Sequence, residues 1–80
     1  MMTKEQCRGA RAMIGISRQE LARDARVAYR TVVDFERGAR APYERTVADI
    51  ERALVARGVE FIPAEQGRGP GVRLAHETDA

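Results

Sequence analysis

The segment Ile16 to Gly38, ISRQELARDARVAYRTVVDFERG, constrains this chain most. It holds two short helical patterns joined by so few residues that the helices must fold back on one another. Ser17 followed three positions later by Glu20 is a capping box. The hydroxyl satisfies a free N–H of the first turn, and the carboxylate returns to the N–H of the cap residue. Leu21, Ala22 and Ala25 then share one face, where the small alanines allow close approach of the next helix. Arg26 and Val27 form the turn. In the second pattern, Tyr29 to Arg37, Val32 and Phe35 point inward, while Tyr29, Arg30, Val33, Asp34 and Arg37 are expected to be exposed. Gly38 stops it.

The rest of the chain frames this pair. Thr3 to Ile14 reads as a first helix with Cys7, Ala10 and Ile14 as its inward stripe, ended by Gly15. A loop from Ala39 to Pro42 carries Arg40. A fourth helix is expected from Glu44 to Arg57, with Val47, Ile50 and Leu54 inward and Gly58 closing it. The period then changes. Val59 to Ile62 is a short β-type run stopped by Pro63, and Gln66 to Gly71 is loop-like. Val72 to Leu74 resumes the alternation, giving a hairpin or two edge strands. The chain thus divides into a helical part over residues 1–57, a β extension over 58–74 and a frayed tail over 75–80.

Eighty residues make one domain with a thin core, much of it alanine, so a partner subunit would relieve the shortage of burial. The single cysteine, Cys7, cannot form an internal disulfide and lies on an apolar stripe, as expected of a core thiol in a reducing cytoplasm. No apolar run approaches a membrane span and no signal peptide is seen, so the expected location is cytoplasmic.

Charge is uneven. The net charge is +2, yet Arg8 to Arg45 holds nine arginines against five acids, and the residues from Thr46 onward hold four against six. The basic half coincides with the helical pair, which favours a polyanionic partner for that half. Arg30 is the strongest candidate for reading a base, because its planar fork can bond guanine O6 and N7 together; the alternative is an arginine that touches only phosphate.

Arg11, Gly15 to Ser17, Glu20-Leu21-Ala22, Val27, Thr31-Val32 and Glu36-Arg37-Gly38 together resemble the Xre/Cro-type helix-turn-helix domain of bacterial and phage repressors. The match runs from about Gln6 to Leu54, and the tail from Gly58 to Leu74 is similar to an extension found on some small members. The resemblance implies a mainly α, four- to five-helix lambda-repressor-like domain with a short C-terminal strand pair, whose third helix lies in the major groove. It places Tyr29, Arg30 and Asp34 at base edges, with Val33 beside them. It places Ser17, Arg18, Arg37 and Arg40 on phosphates, and it pairs Arg11 with Glu36.

Each of these positions has a plainer reading. Tyr29 either touches sugar, phosphate or base, or packs on the second helix. Asp34 either accepts from cytosine N4 or orients Arg30 or Arg37, and the orienting role is preferred because phosphates repel a carboxylate. Val33 meets a thymine methyl or is simply an exposed valine. Ser17 is already explained by its capping box, although Arg18 and the free N–H groups after it suit a phosphate. Two positions depart from the family pattern. Arg26 stands where glycine is usual, and Ala28 where a Ser or Thr cap is usual, each worth about 1 kcal/mol.

No nucleophile is spaced with a base, His76 stands alone, and the glycines at 67, 69 and 71 do not lead into a helix. The chain is therefore expected to be no enzyme and to need no metal or cofactor. The expectation is a DNA-binding transcriptional regulator, a repressor acting as a homodimer on a palindromic operator. Val59, Phe61, Ile62, Val72 and Leu74 are expected to form the dimer contact through an open strand edge; the competing explanation is that they pack back on the fourth helix. The alternative function is an antitoxin or other protein-binding module that neutralises a partner and autoregulates its operon.

Overall fold

Two capping boxes start the first two helices. In the computed structural model, which describes residues 1–39 and 42–77, helix α1 spans Lys4–Ile14 and α2 spans Arg18–Ala25. The Thr3 hydroxyl accepts from the Gln6 N–H at 3.1 Å, and Gln6 Oε1 accepts from the Thr3 N–H at 2.9 Å. Ser17 and Glu20 repeat the arrangement at 3.0 and 3.1 Å. Helix α3 spans Tyr29–Arg37 and α4 spans Glu44–Ala56. Neither has a side-chain cap, since Ala28 and Tyr43 occupy the cap positions without bonding. Gly15 and Gly38 end α1 and α3 in the left-handed conformation that glycine adopts freely.

The expected class holds: among the described residues there are four helices, then a two-stranded antiparallel sheet of β1 (Val59–Ile62) and β2 (Gly71–Leu74). Each helix contributes the stripe its periodicity dictates. Cys7, Ala10, Leu21, Val32, Val47, Ile50 and Leu54 are fully buried, with Phe35 nearly so, while Met2 and Ile16 join the core from outside the helical stripes. α2 packs against both α3 and α4, and α1 lies against α3.

The hairpin is part of this core rather than an appendage. Its register pairs Val59 with Leu74 and Phe61 with Val72. Strand alternation therefore sets these four on one face, and Glu60, Ile62, Gly71 and Arg73 on the other. The first face turns toward the helices: Val59 is buried, and Phe61 and Val72 pack against the core. Val72 Cγ1 stands 3.3 Å from where a Gly9 Cβ would be, so Gly9 lets β2 approach α1. The Gln6 amide nitrogen donates to Gly71 O at 2.7 Å and Ile62 O at 3.3 Å, fastening the strands to the start of α1. On the opposite face Arg73 and Glu60 form a two-bond cross-strand pair. At the tip, Gln66 and Gly67 both have positive φ between Glu65 and Arg68, the backbone of a tight primed turn.

Two expectations need correction. Val59, expected at a dimer contact, is 1% exposed within a single chain and is unavailable to a second copy. Phe61 and Val72 are likewise drawn inward, because the thin helical core needs their area; Ile62 lies on the other face, and Leu74 remains exposed. Ala75, expected to begin a frayed tail, is instead held: its N–H donates to Gly58 O at 2.9 Å, continuing the ladder by one residue. Residues 78–80 lie outside the described residues.

Candidate nucleic-acid interface

The turn between α2 and α3 decides how α3 is presented. Arg26 adopts φ 59° and ψ 44°, a left-handed conformation. Its N–H and that of Val27 close the end of α2, the latter by bonding Ala22 O at 3.0 Å. A side chain in this conformation costs about 1–2 kcal/mol. Val27 packs against the core immediately afterwards.

α3 has two chemically distinct sides. Val32 and Phe35 anchor its inner side, as expected. On the outer side Tyr29 is 45% exposed, and the Arg30 side chain is 73% exposed. Arg37 is exposed as well. Val33 and Asp34, expected to be exposed, are half-buried. Asp34 Oδ1 lies 3.3 Å from Arg30 Nε, one turn away, and so restrains the guanidinium on the outer face. This is the orienting geometry preferred for Asp34. The Arg30 end of this i,i+4 pair is open to solvent, so the pair adds little stability.

The expected phosphate contacts fall around the helix pair. Ser17 is exposed at the start of α2, with its hydroxyl engaged in the cap, and Arg18 is half-buried beside it. Arg40 lies outside the described residues.

Beneath α3 a buried network fixes its position. Glu36 is 2% exposed and receives two bonds from Arg11, Nε to Oε2 at 2.7 Å and Nη2 to Oε1 at 2.8 Å. Arg11 also donates to Ile16 O at 3.2 Å, tying in the residue before the Ser17 cap. Hydrogen bonding to Glu36 raises the Arg11 pKa further above its ordinary value. The Cys7 thiol donates to Glu36 Oε2 at 3.2 Å. Burial, then the bond to Glu36, pushes that thiol well above the usual range, so it keeps its proton and acts as a donor. Arg8 Nη1 donates to Glu36 O. Thus the structure brings Arg11 and Glu36 together and adds two partners that sequence spacing does not suggest, Cys7 and Arg8. Gln6 is a further addition, although Thr3-x-x-Gln6 follows the same capping rule as Ser17-x-x-Glu20 and could have been found by it.

The resulting surface offers an anchored helix with a restrained arginine, flanked by a capped helix start. A planar cation held in this way can make paired hydrogen bonds to a flat acceptor edge, and exposed arginines beside it can meet phosphates. Among the described residues, no group of three His, Cys, Asp or Glu side chains is placed to hold a metal ion, and no helix is long and apolar enough to cross a membrane. No protein-family model matches this chain, and no curated protein matches it.

Proposed function

We propose that this chain is a sequence-specific DNA-binding transcriptional regulator, a repressor that lays α3 in the major groove. The observation that carries the reading is the contrast between the two sides of α3. Val32, Phe35 and Glu36 lock one side to the core, while the other holds Arg30 free to solvent and oriented by Asp34. In this reading Arg30 bonds a guanine edge with Asp34 as its positioning partner, and Tyr29 and Val33 line the same groove wall. Ser17, Arg18, Arg37 and Arg40 meet the backbone. A homodimer on a palindrome, with half-sites about 10 bp apart, completes it. The cytoplasm is its place of action.

A mobility-shift series tests the assignment. Arg30→Ala should weaken binding to a preferred duplex by about 1–3 kcal/mol while changing binding to random duplex little. Arg37→Ala should weaken both alike and flatten the salt dependence by about one unit of slope. Equal losses on both duplexes for Arg30→Ala would remove its base-reading role.

A second reading draws on a different observation. A groove of about 410 Å³, lined in part by Met1, Met2, Phe61, Ile62, Pro63 and Pro70, lies beside the hairpin. Thr3, Gln6 and Glu51 line it too, and such a mixed groove suits a protein partner, as an antitoxin-like module would require. A protein partner that copurifies with the full chain would favour this reading over the first.

A further inference from the structure

Lys4 and Arg8 fall outside the phosphate contacts expected from the sequence, yet the fold carries both to the end of α3. Lys4, Arg8 and Arg11 are spaced four and three residues apart, so they form one stripe on α1. Each meets a different part of the last turn of α3. Arg11 holds the Glu36 carboxylate, and Arg8 bonds the Glu36 carbonyl. Lys4 lies across Gly38, where an added Cβ would stand 2.7 Å from its Nζ and 3.3 Å from its Cδ.

The charges in this stripe are not equally compensated. Glu36 is matched by Arg11, and Arg8 has Glu5 at 4.0 Å. Lys4 makes no ion pair among the described residues. Its ammonium lies beside the C-terminal end of α3, where the helix dipole attracts a cation without cancelling its full charge. Arg37 is exposed at the residue before Gly38 and has no ion pair among the described residues either. Two cations from separate helices therefore flank the point where the chain leaves α3, and among the described residues neither is matched by a carboxylate.

The geometry points to Lys4 as a phosphate-binding residue. α1 extends the DNA interface past the C-terminal end of α3, and Lys4 there contacts the backbone regardless of sequence. This rests on the DNA-binding reading above. It differs from that reading in using the first helix, and in adding affinity without adding discrimination.

The test uses the full chain, Lys4→Met, which keeps most of the apolar stem and loses the charge, and Lys4→Arg. Binding to a random-sequence duplex of about 30 bp is followed by fluorescence anisotropy across a salt series, well below each melting temperature. Lys4→Met should give a salt slope shallower by about one, so that the loss of affinity between about 50 and about 200 mM salt is about 3.5-fold smaller than for the wild type. Lys4→Arg should restore the wild-type slope. Should Lys4→Met melt earlier yet keep the wild-type slope, Lys4 only caps α3 and the inference is overturned. Identical slopes with unchanged stability overturn it as well. A wild type that fails to bind duplex even at low salt overturns the DNA-binding reading and this inference with it.

Discussion

Arg26 shows how one residue can be wrong for its backbone and still be tolerated. It holds φ 59° in the turn that sets the angle between α2 and α3. Glycine would adopt that conformation without the steric penalty, although it would also loosen the unfolded chain. Arg26→Gly should therefore stabilise the protein by about 0.5–1 kcal/mol and raise Tm by several degrees, about 2–8 °C, in a thermal melt. A lower Tm would show that the arginine side chain contributes contacts that outweigh the strain. The penalty at Arg26 and the missing cap at Ala28 are both legible in the sequence, because each depends on one residue type at one position. The half-burial of Val33 and Asp34 is not. Helical periodicity assigns a residue to a side of its own helix, and it says nothing about how high the neighbouring elements rise beside it. The Cys7 and Arg8 bonds to Glu36 are hidden for the same reason, since they join groups 29 and 28 residues apart.

Among the elements, the hairpin departs most from what its sequence suggests. Alternation in Val59 to Ile62 and Val72 to Leu74 correctly marks two strands. It separates two faces but cannot say which face a core will take. Here the face with Val59, Phe61 and Val72 goes inward, and the Gln6 amide holds two carbonyls of the strand pair. Removal of residues 58–80 would take away the fully buried Val59 and leave the Gln6 donor without these acceptors. Burial of one valine and two hydrogen bonds together suggest a loss of about 3 kcal/mol or more, a large share of the stability of a domain this small. The truncated chain should show a much lower Tm and reduced helicity by circular dichroism, rather than behave as a well-folded monomer. Retention of the full-length Tm would mean that the hairpin is energetically separate from the helices. α1, α2, α3 and α4 are legible almost to the residue, because each carries its own start, stripe or stop signal within its own length.

For the molecule as a whole, two hydrogen-bonded carboxylates set a direction for its response to acid. The Ser17 N–H holds the Glu20 carboxyl below its ordinary range, and the bond from Arg73 does the same for Glu60. Their folded pKa values lie below the unfolded ones, so the unfolded chain takes up protons first. The stability they contribute is present above the unfolded carboxylate value of about 4.3, and it is lost as pH falls through the lowered folded values. Glu20→Gln keeps a capping-box side chain but cannot titrate, so its stability should fall less steeply than the wild type's on the acid side. Superimposable acid limbs would remove Glu20 from the account. On the scale of the whole surface, the arginine-rich half of the sequence contains α3 and the turn before it, while most of the acids from Thr46 onward lie in α4 and the hairpin. This asymmetry is legible in the order of the residues alone, because it needs only a count of charges along the chain. It agrees with a polyanionic partner for that half. On the proposed reading, the outer side of α3 reads base sequence. Selection of bound duplexes from a random DNA pool by the full chain tests it most directly. Enrichment of one palindromic sequence is expected, with half-sites about 10 bp apart, each containing a guanine that Arg30→Ala no longer selects. A bound pool that remains random in sequence would contradict it.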